Sequence, residues 1–391
     1  MSNLLKTKQI FLLFFYFVIF IMVVFLISHQ LDAPSDYRSY ASDIGSHIFF
    51  VEKYFEGKVY IPHPLWHIFV HYMSYITMSE KFSASLVTAL LVLLWLYIVQ
   101  AIYTFFIANE KKSIYLYTFL FIVFIIGPAY IPLVSKFIIA GTGGPNMWNN
   151  TTLITVKPFA ILTVFFTVLG LEKKHIHYYV FGAIALLISI FAKPSFVIAF
   201  LPALALLILI KKFYTKENLI YFAVLSFISV GTLAYQFLHT FGEGEGKSKI
   251  IISFLGVWSP ATSSVLLSIL LALLFPFLYF IFNLKDAKNN NYLMLTWIMT
   301  FISIIYAAFL AESGPRFYHG NFFWSYMVSL SLLYVFTLID YFKYISNIKP
   351  SIKVLLNIVL LWQILVGLFY FIKLMMGDDP AGVVDFSYFL K

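Results

Sequence analysis

Apolar runs of membrane-crossing length recur along this chain from one end to the other, separated by short polar segments. Crossing the hydrocarbon core takes about 20 predominantly apolar residues in a helix. On that measure the pattern predicts eleven spans, at 10–28, 82–108, 113–132, 153–170, 178–192, 196–210, 219–239, 262–283, 292–311, 322–339 and 354–373. The run 10–28 is of span length and no small-residue cleavage site follows it, so it reads as a retained first helix and not a signal peptide. The runs 178–192 and 196–210 are short, and predict a hairpin that barely reaches the far side. Segment 64–78 is also apolar, but it is short and carries His67 and His71, which predicts a re-entrant or surface-lying helix. The expected fold class is therefore an all-α polytopic membrane protein, one integral-membrane domain over 1–391.

Composition sharpens this reading. The chain is 62% hydrophobic and only 11% charged, against about 25% charged in soluble domains, so each cluster of polar groups asks for a reason. With no cysteine there is no disulfide, no thiolate metal site and no cysteine nucleophile. With the N-terminus cytoplasmic, the inner loops carry fourteen basic residues against five acids, and the outer segments twelve against twelve. The net charge of +9 is then the positive-inside bias of a membrane protein, and no nucleic-acid partner is needed to explain it. The long and chemically varied segments fall on the outer side, at 29–81, 133–152, 240–261 and 312–321, with a turn at 193–195 and a tail at 374–391. Function is expected there.

The first outer loop holds the densest polar cluster, with Asp36, Asp43, His47 and a Pro62-His63-Pro64 turn. Ser42 is suited to cap a helix running to about Glu56, with Asp43 in its first turn, where a negative charge suits the helix dipole. Ile44, Ile48, Val51 and Phe55 make one apolar stripe, flanked by Asp43, His47 and Tyr54, which predicts an amphipathic helix lying in the membrane interface. Asp43 and His47 would then stand at the height where a lipid-anchored substrate meets a second reactant. His63, His67 and His71 recur every four residues, but the third lies two turns from the first, a poor zinc set.

Other polar residues gather in the remaining outer segments. Lys157-Pro158 and Lys193-Pro194 stand near span ends, either snorkelling to the surface or clamping a lipid phosphate or diphosphate. The loop 141–152 offers Trp148, Asn149 and Asn150 to a sugar, the tryptophan by stacking on its apolar face. Between two spans, Glu312, Arg316, His319 and Asn321 fall within ten residues. A guanidinium binds phosphate in a bidentate manner; a plain Glu312–Arg316 ion pair would not call for His319 and Asn321. Glu243-Gly244-Glu245 lies in a glycine-rich loop that lacks the phosphate-loop pattern.

The order Asp43, amphipathic helix, Tyr54, Gly57, Tyr60, Pro62 and Pro64-Leu65 resembles the glycosyltransferase C superfamily, polytopic enzymes that use polyprenyl-phosphate sugars. The adjacent or spaced acid pair usual there is absent, since Asp36 and Asp43 are seven apart. The resemblance implies transfer of a sugar from a polyprenyl-phosphate donor to a lipid-linked or envelope-glycan acceptor, with inversion, on the outer face of a plasma membrane of bacterial type. It implies a carboxylate base, Asp43 before Asp36, with His47 beside it. The leaving phosphate would be held by Arg316 with Lys157 or Lys193, and the substrate further contacted by His319, Glu312, Asn321, His63, Trp148 and Asn149. A divalent ion, Mg or Mn, would fit between acids and phosphate without being demanded. A surface-polysaccharide polymerase is the alternative, although the outer loops are small for one. A transporter or flippase is disfavoured, since no internal repeat is visible and the ionisable groups gather at span ends on one face.

Overall fold

The computed structural model describes residues 2–32, 44–107, 113–135, 137–241 and 249–376. Asp36, Asp43, Arg38 and the Glu243–Glu245 loop lie outside them, as does Ser42, the expected helix cap. Within these described residues fifteen α-helices follow in order: α1 (Ser2–Asp32), α2 (Ile44–Phe55), α3 (Leu65–Thr77), α4 (Glu80–Phe106), α5 (Ser113–Ile125), α6 (Thr151–Lys173), α7 (Ile176–Ala192), α8 (Ser195–Lys211), α9 (Lys216–Phe241), α10 (Val265–Ala272), α11 (Leu274–Phe282), α12 (Leu284–Asn289), α13 (Asn291–Phe309), α14 (Asn321–Tyr344) and α15 (Pro350–Met375). Among the described residues, seven helices are long and apolar enough to cross a membrane, and eight if the bent pair α10–α11 is one span. The protein is a multi-pass integral membrane protein. Helices occupy the other predicted spans too, but α5, α7 and α8 are shorter than a full crossing, so the count of eleven is not reached on length alone.

Helix ends follow local chemistry. Asn150 caps α6 by accepting from the Leu153 amide at 2.8 Å, and Asn290 caps α13 by accepting from Tyr292 and Leu293. Lys193 is extended because a residue before proline is pushed out of the helical region, and the chain turns there from α7 into α8. The same dipeptide at Lys157-Pro158 does not end a helix. It lies inside α6, which begins six residues earlier.

The segment read as one span at 262–283 is broken. α10 and α11 meet at 67°, and the break frees carbonyls that lipid cannot satisfy. The Tyr334 hydroxyl donates to Ala272 O at 2.7 Å, while the Ala129 amide and the Gln363 side-chain amide donate to Leu271 O. α14 runs through the centre of the bundle against α6, α8 and α13, and α1 and α9 lie at the periphery, exposing apolar side chains. Among the described residues, two short strands have no sequence signal: Ile250–Ile252 pairs antiparallel with Leu310–Glu312. That pairing ties two separate loops together and carries Glu312 at its end.

The tightest backbone approach is between Gly127, just after α5, and Gly367 in α15. A Cβ on Gly127 would sit 2.9 Å from Gly367 Cα, and one on Gly367 would overlap the Ile125 carbonyl. The Gly127 amide donates across this crossing to Gln363 O at 3.1 Å. Gly367→Val should therefore destabilise the fold by about 1–3 kcal/mol, the usual cost of overpacking. A thermal midpoint in detergent lowered by several degrees would agree, and an unchanged midpoint would refute the close crossing.

Candidate functional site

α2 and α3 form a helical hairpin at one end of the bundle. α2 is amphipathic, and Ile44 and Val51 from its predicted stripe are buried. Gly57 turns the chain with φ 71°, and Pro62-His63-Pro64 leads into α3. α3 is pinned by Trp66, whose indole nitrogen donates to Thr88 Oγ1 of α4 at 3.1 Å. It is thirteen residues long and is not among the helices long and apolar enough to cross a membrane. The hairpin brings His47 Nδ1 within 3.0 Å of His67 Nε2. His71 instead stacks on Phe55, with ring centroids 3.6 Å apart. The three histidines of α3 and its approach thus do not converge. Among the described residues, no group of three or more histidines and acids is arranged to hold a metal ion.

Beside this hairpin lies a cavity of about 660 Å³. Its wall includes His47, Tyr60, His63 and His67 from the first outer loop, Asn150 and Thr152 at the start of α6, and Lys193 at the α7–α8 turn. His239 and Thr240 at the end of α9 and Arg316, Asn321 and Trp324 around the start of α14 complete it. All the outer segments predicted before the C-terminal tail therefore contribute to one cavity. A second, polar cavity at the far ends of α6 and α14 is lined by Glu172, Asp286, Asn290, Asp340 and Lys343. Along α14 the two are separated by the stretch from Trp324, on the first, to Phe336, on the second, about 18 Å at 1.5 Å per residue.

The cations of the first cavity are held in place. Lys193 is buried, donates to Thr152 Oγ1 at 2.7 Å and more weakly to Asn150 Oδ1 at 3.4 Å, and stands 5.3 Å from the centre of the Trp324 ring. It does not snorkel. Arg316 Nε pairs with Glu312 Oε2 at 2.7 Å, and Asn321 Nδ2 donates to Glu312 Oε1 at 2.7 Å. Glu312 is buried behind these two and orients them from the end of its strand. The ion pair weighed against a phosphate site is thus present, and its arginine also faces the cavity.

Of the expected site residues, the cavity assembles His47, His63, Lys193, Arg316 and Asn321, with Glu312 in support. It does not include Lys157, Trp148 or Asn149. Lys157 is buried, donating to Pro145 O and Asn146 Oδ1, both at 2.8 Å, and so braces the loop before α6. Trp148 packs against Phe124 and Phe371, and its carbonyl accepts from Gln30. Asn149 is buried in the same loop, while its neighbour Asn150 faces the cavity. The turn Gly314–His319 places His319 at its end, with its side chain outside the described residues. Thr152, Trp324 and His239 were not anticipated. Thr152 and Trp324 carry no signal that distinguishes them from ordinary span residues, and His239 could have been flagged as a histidine at the outer end of a span.

No carboxylate lines the cavity among its described residues. A divalent ion there would need a carboxylate from outside the described residues, as the sequence expectation of Asp36 or Asp43 requires. His63 and His67 of this wall are held neutral, chiefly by burial. Burial, reinforced by Lys193, His47, His67 and Arg316, holds His63 well below the ordinary histidine range. Burial and the neighbouring His47 hold His67 at about 3. Neither a family model nor a curated protein matches this chain.

The depressed His67 sets a direction for acid stability. Folded, it stays neutral down to about pH 3; unfolded, it takes a proton below about 6.5. The unfolded state binds more protons between those values, so stability falls as pH drops through that window, with a slope approaching about 1.4 kcal/mol per pH unit for this residue. The thermal midpoint of wild type should fall relative to that of His67→Phe as pH is lowered from 7 to 4. A constant difference would contradict a buried, neutral His67.

Proposed function

We propose that this protein is a membrane glycosyltransferase of the glycosyltransferase C type. It transfers a sugar from a polyprenyl-phosphate donor to a lipid-linked or envelope-glycan acceptor. The observation that carries this reading is the cavity itself, in which a guanidinium and a buried ammonium face a space of about 660 Å³ beside an amphipathic hairpin at one end of a membrane bundle. A lipid phosphate arriving laterally would find its counter-charges at that height. The space accommodates a sugar, and Trp324 and Tyr60 offer it aromatic faces.

In this reading the first outer loop faces the extracytoplasmic side, the N-terminus is cytoplasmic, and the short helices α5, α7 and α8 complete eleven crossings. The lysine-rich inner segments support that orientation. An acceptor hydroxyl loses its proton to the carboxylate of Asp43, or of Asp36 if Asp43 is not within reach. The oxygen attacks the anomeric carbon from the face opposite the phosphate. The bond from that carbon to the phosphate oxygen breaks, its electron pair leaves with the phosphate, and the configuration inverts. Arg316 and Lys193 stabilise the departing phosphate, and fixed charges in a dry site act most strongly on charge that develops in the transition state. Lys157 serves the fold and not the phosphate.

Purified variants tested with synthetic polyprenyl-phosphate sugars check the assignment. Asp43→Asn should slow transfer by about 10²–10⁴-fold, the range for general-base help. Arg316→Ala should slow it by about 10²–10³-fold, as for loss of one oxyanion-stabilising donor. Wild-type rates in both would sink the site. Ladders of repeat units in place of a single transferred sugar would shift the reading to a polysaccharide polymerase. The sugar is identified by comparing envelope glycolipids by mass spectrometry with and without the gene.

A further inference from the structure

Lys157 is a buried cation outside the first cavity. It is 4% exposed and lies in the second turn of α6. An ammonium carries three N–H donors. Two are spent, on Pro145 O and Asn146 Oδ1, both at 2.8 Å. Both acceptors are neutral, and among the described residues no carboxylate pairs with Lys157, whereas Arg316 has Glu312. A charge removed from water is costly unless it is paired. A small cavity adjoins the ammonium, with Trp95, Asn146 and Trp148 in its wall beside Lys157. The centre of a water-sized sphere has about 10 Å³ of room there, which suits a single small occupant. Trp148, also 4% exposed, keeps its indole Nε1 buried without a hydrogen-bond partner. Trp95 lines the same space, and its indole makes no hydrogen bond among the described residues. No carboxylate or hydroxyl lines it. Its one side-chain oxygen, Oδ1 of Asn146, already accepts from Lys157, and the Asn146 amide donates to Val123 O and Ile126 O at 3.0 and 3.1 Å. The side chains around this space thus present donors and positive charge, with no acceptor that is not engaged.

We propose that this cavity is a halide site, in which one chloride ion accepts from the third N–H of Lys157 and from the indole N–H of Trp148. A water molecule would accept from the same donors but would find little to receive its own two hydrogens. A monatomic anion accepts on every side and supplies the counter-charge that the ammonium lacks. The room available suits a halide better than a phosphate or a sulfate. Lys157 and Trp148 brace the loop that ends at Asn150, the cap of α6, so the ion also steadies Asn150 and Thr152, which hold Lys193 at the first cavity. The site is independent of glycosyl transfer.

The thermal midpoint of the purified full-length protein, in sodium chloride against sodium gluconate at equal ionic strength, tests the site. A ligand that binds only the folded state raises the midpoint as its concentration rises. Chloride and bromide should each raise it by several degrees, and the rise should be lost in Trp148→Phe and in Lys157→Met. Equal midpoints in chloride and gluconate, or a rise of the same size in Trp148→Phe, would overturn the proposal. Bromide gives a second reading on the wild type, which stands even where Lys157→Met does not fold. Its anomalous diffraction from crystals grown in bromide should peak in hydrogen-bond reach of Lys157 Nζ and Trp148 Nε1. Density at that point with no anomalous signal would mean a water beside an uncharged lysine, and would overturn the halide assignment.

Discussion

An ionised side chain is too costly in hydrocarbon to sit without a partner, and this molecule is arranged around that constraint. Lys193 shows it best. Its ammonium is buried at the turn between two apolar helices, and it is tolerated because Thr152 and Asn150 accept its hydrogen bonds and Trp324 offers a ring face. Those partners come from α6 and α14, so satisfying one charge fixes the relative placement of four helices. Arg316 follows the same rule through Glu312, which is held at the end of a two-stranded ladder. Anchored in this way, both cations line one cavity.

Much of the architecture was legible as hydrophobic pattern. Helices stand where the apolar runs predicted them, because a bilayer leaves the backbone few other ways to satisfy its polar groups. The amphipathic stripe of α2 follows from spacing, and its Ile44 and Val51 are buried. What could not be read is where tertiary context overrides local chemistry. Lys157-Pro158 and Lys193-Pro194 are identical dipeptides; one lies inside a helix and braces a loop, the other ends a helix and faces the cavity. The break between α10 and α11 depends on Tyr334 and Gln363, distant residues that receive its freed carbonyls. The strand pair at Leu310–Glu312 rests on a contact across some sixty residues of sequence.

The candidate site was legible in chemical type more than in membership. Arginine, lysine, histidine and asparagine outside the spans, rare in an apolar chain, do meet in one cavity in part. Choosing among neighbours was not possible, because adjacent loop residues face opposite ways: Asn150 reaches the cavity while Trp148 and Asn149 pack inward. The histidines illustrate the same limit. A spacing of four already argued against a common metal set, but it could not say that His67 pairs with His47 on another helix while His71 stacks on Phe55.

The central claim is that the cavity between the α2–α3 hairpin and the start of α14 receives a lipid phosphate. An electron cryomicroscopy map of the protein saturated with polyprenyl phosphate tests it most directly. The account predicts phosphate density in hydrogen-bond reach of Arg316 and Lys193, with the prenyl chain leaving toward the lipid. Density for the phosphate elsewhere on the protein, with this cavity empty, would contradict it.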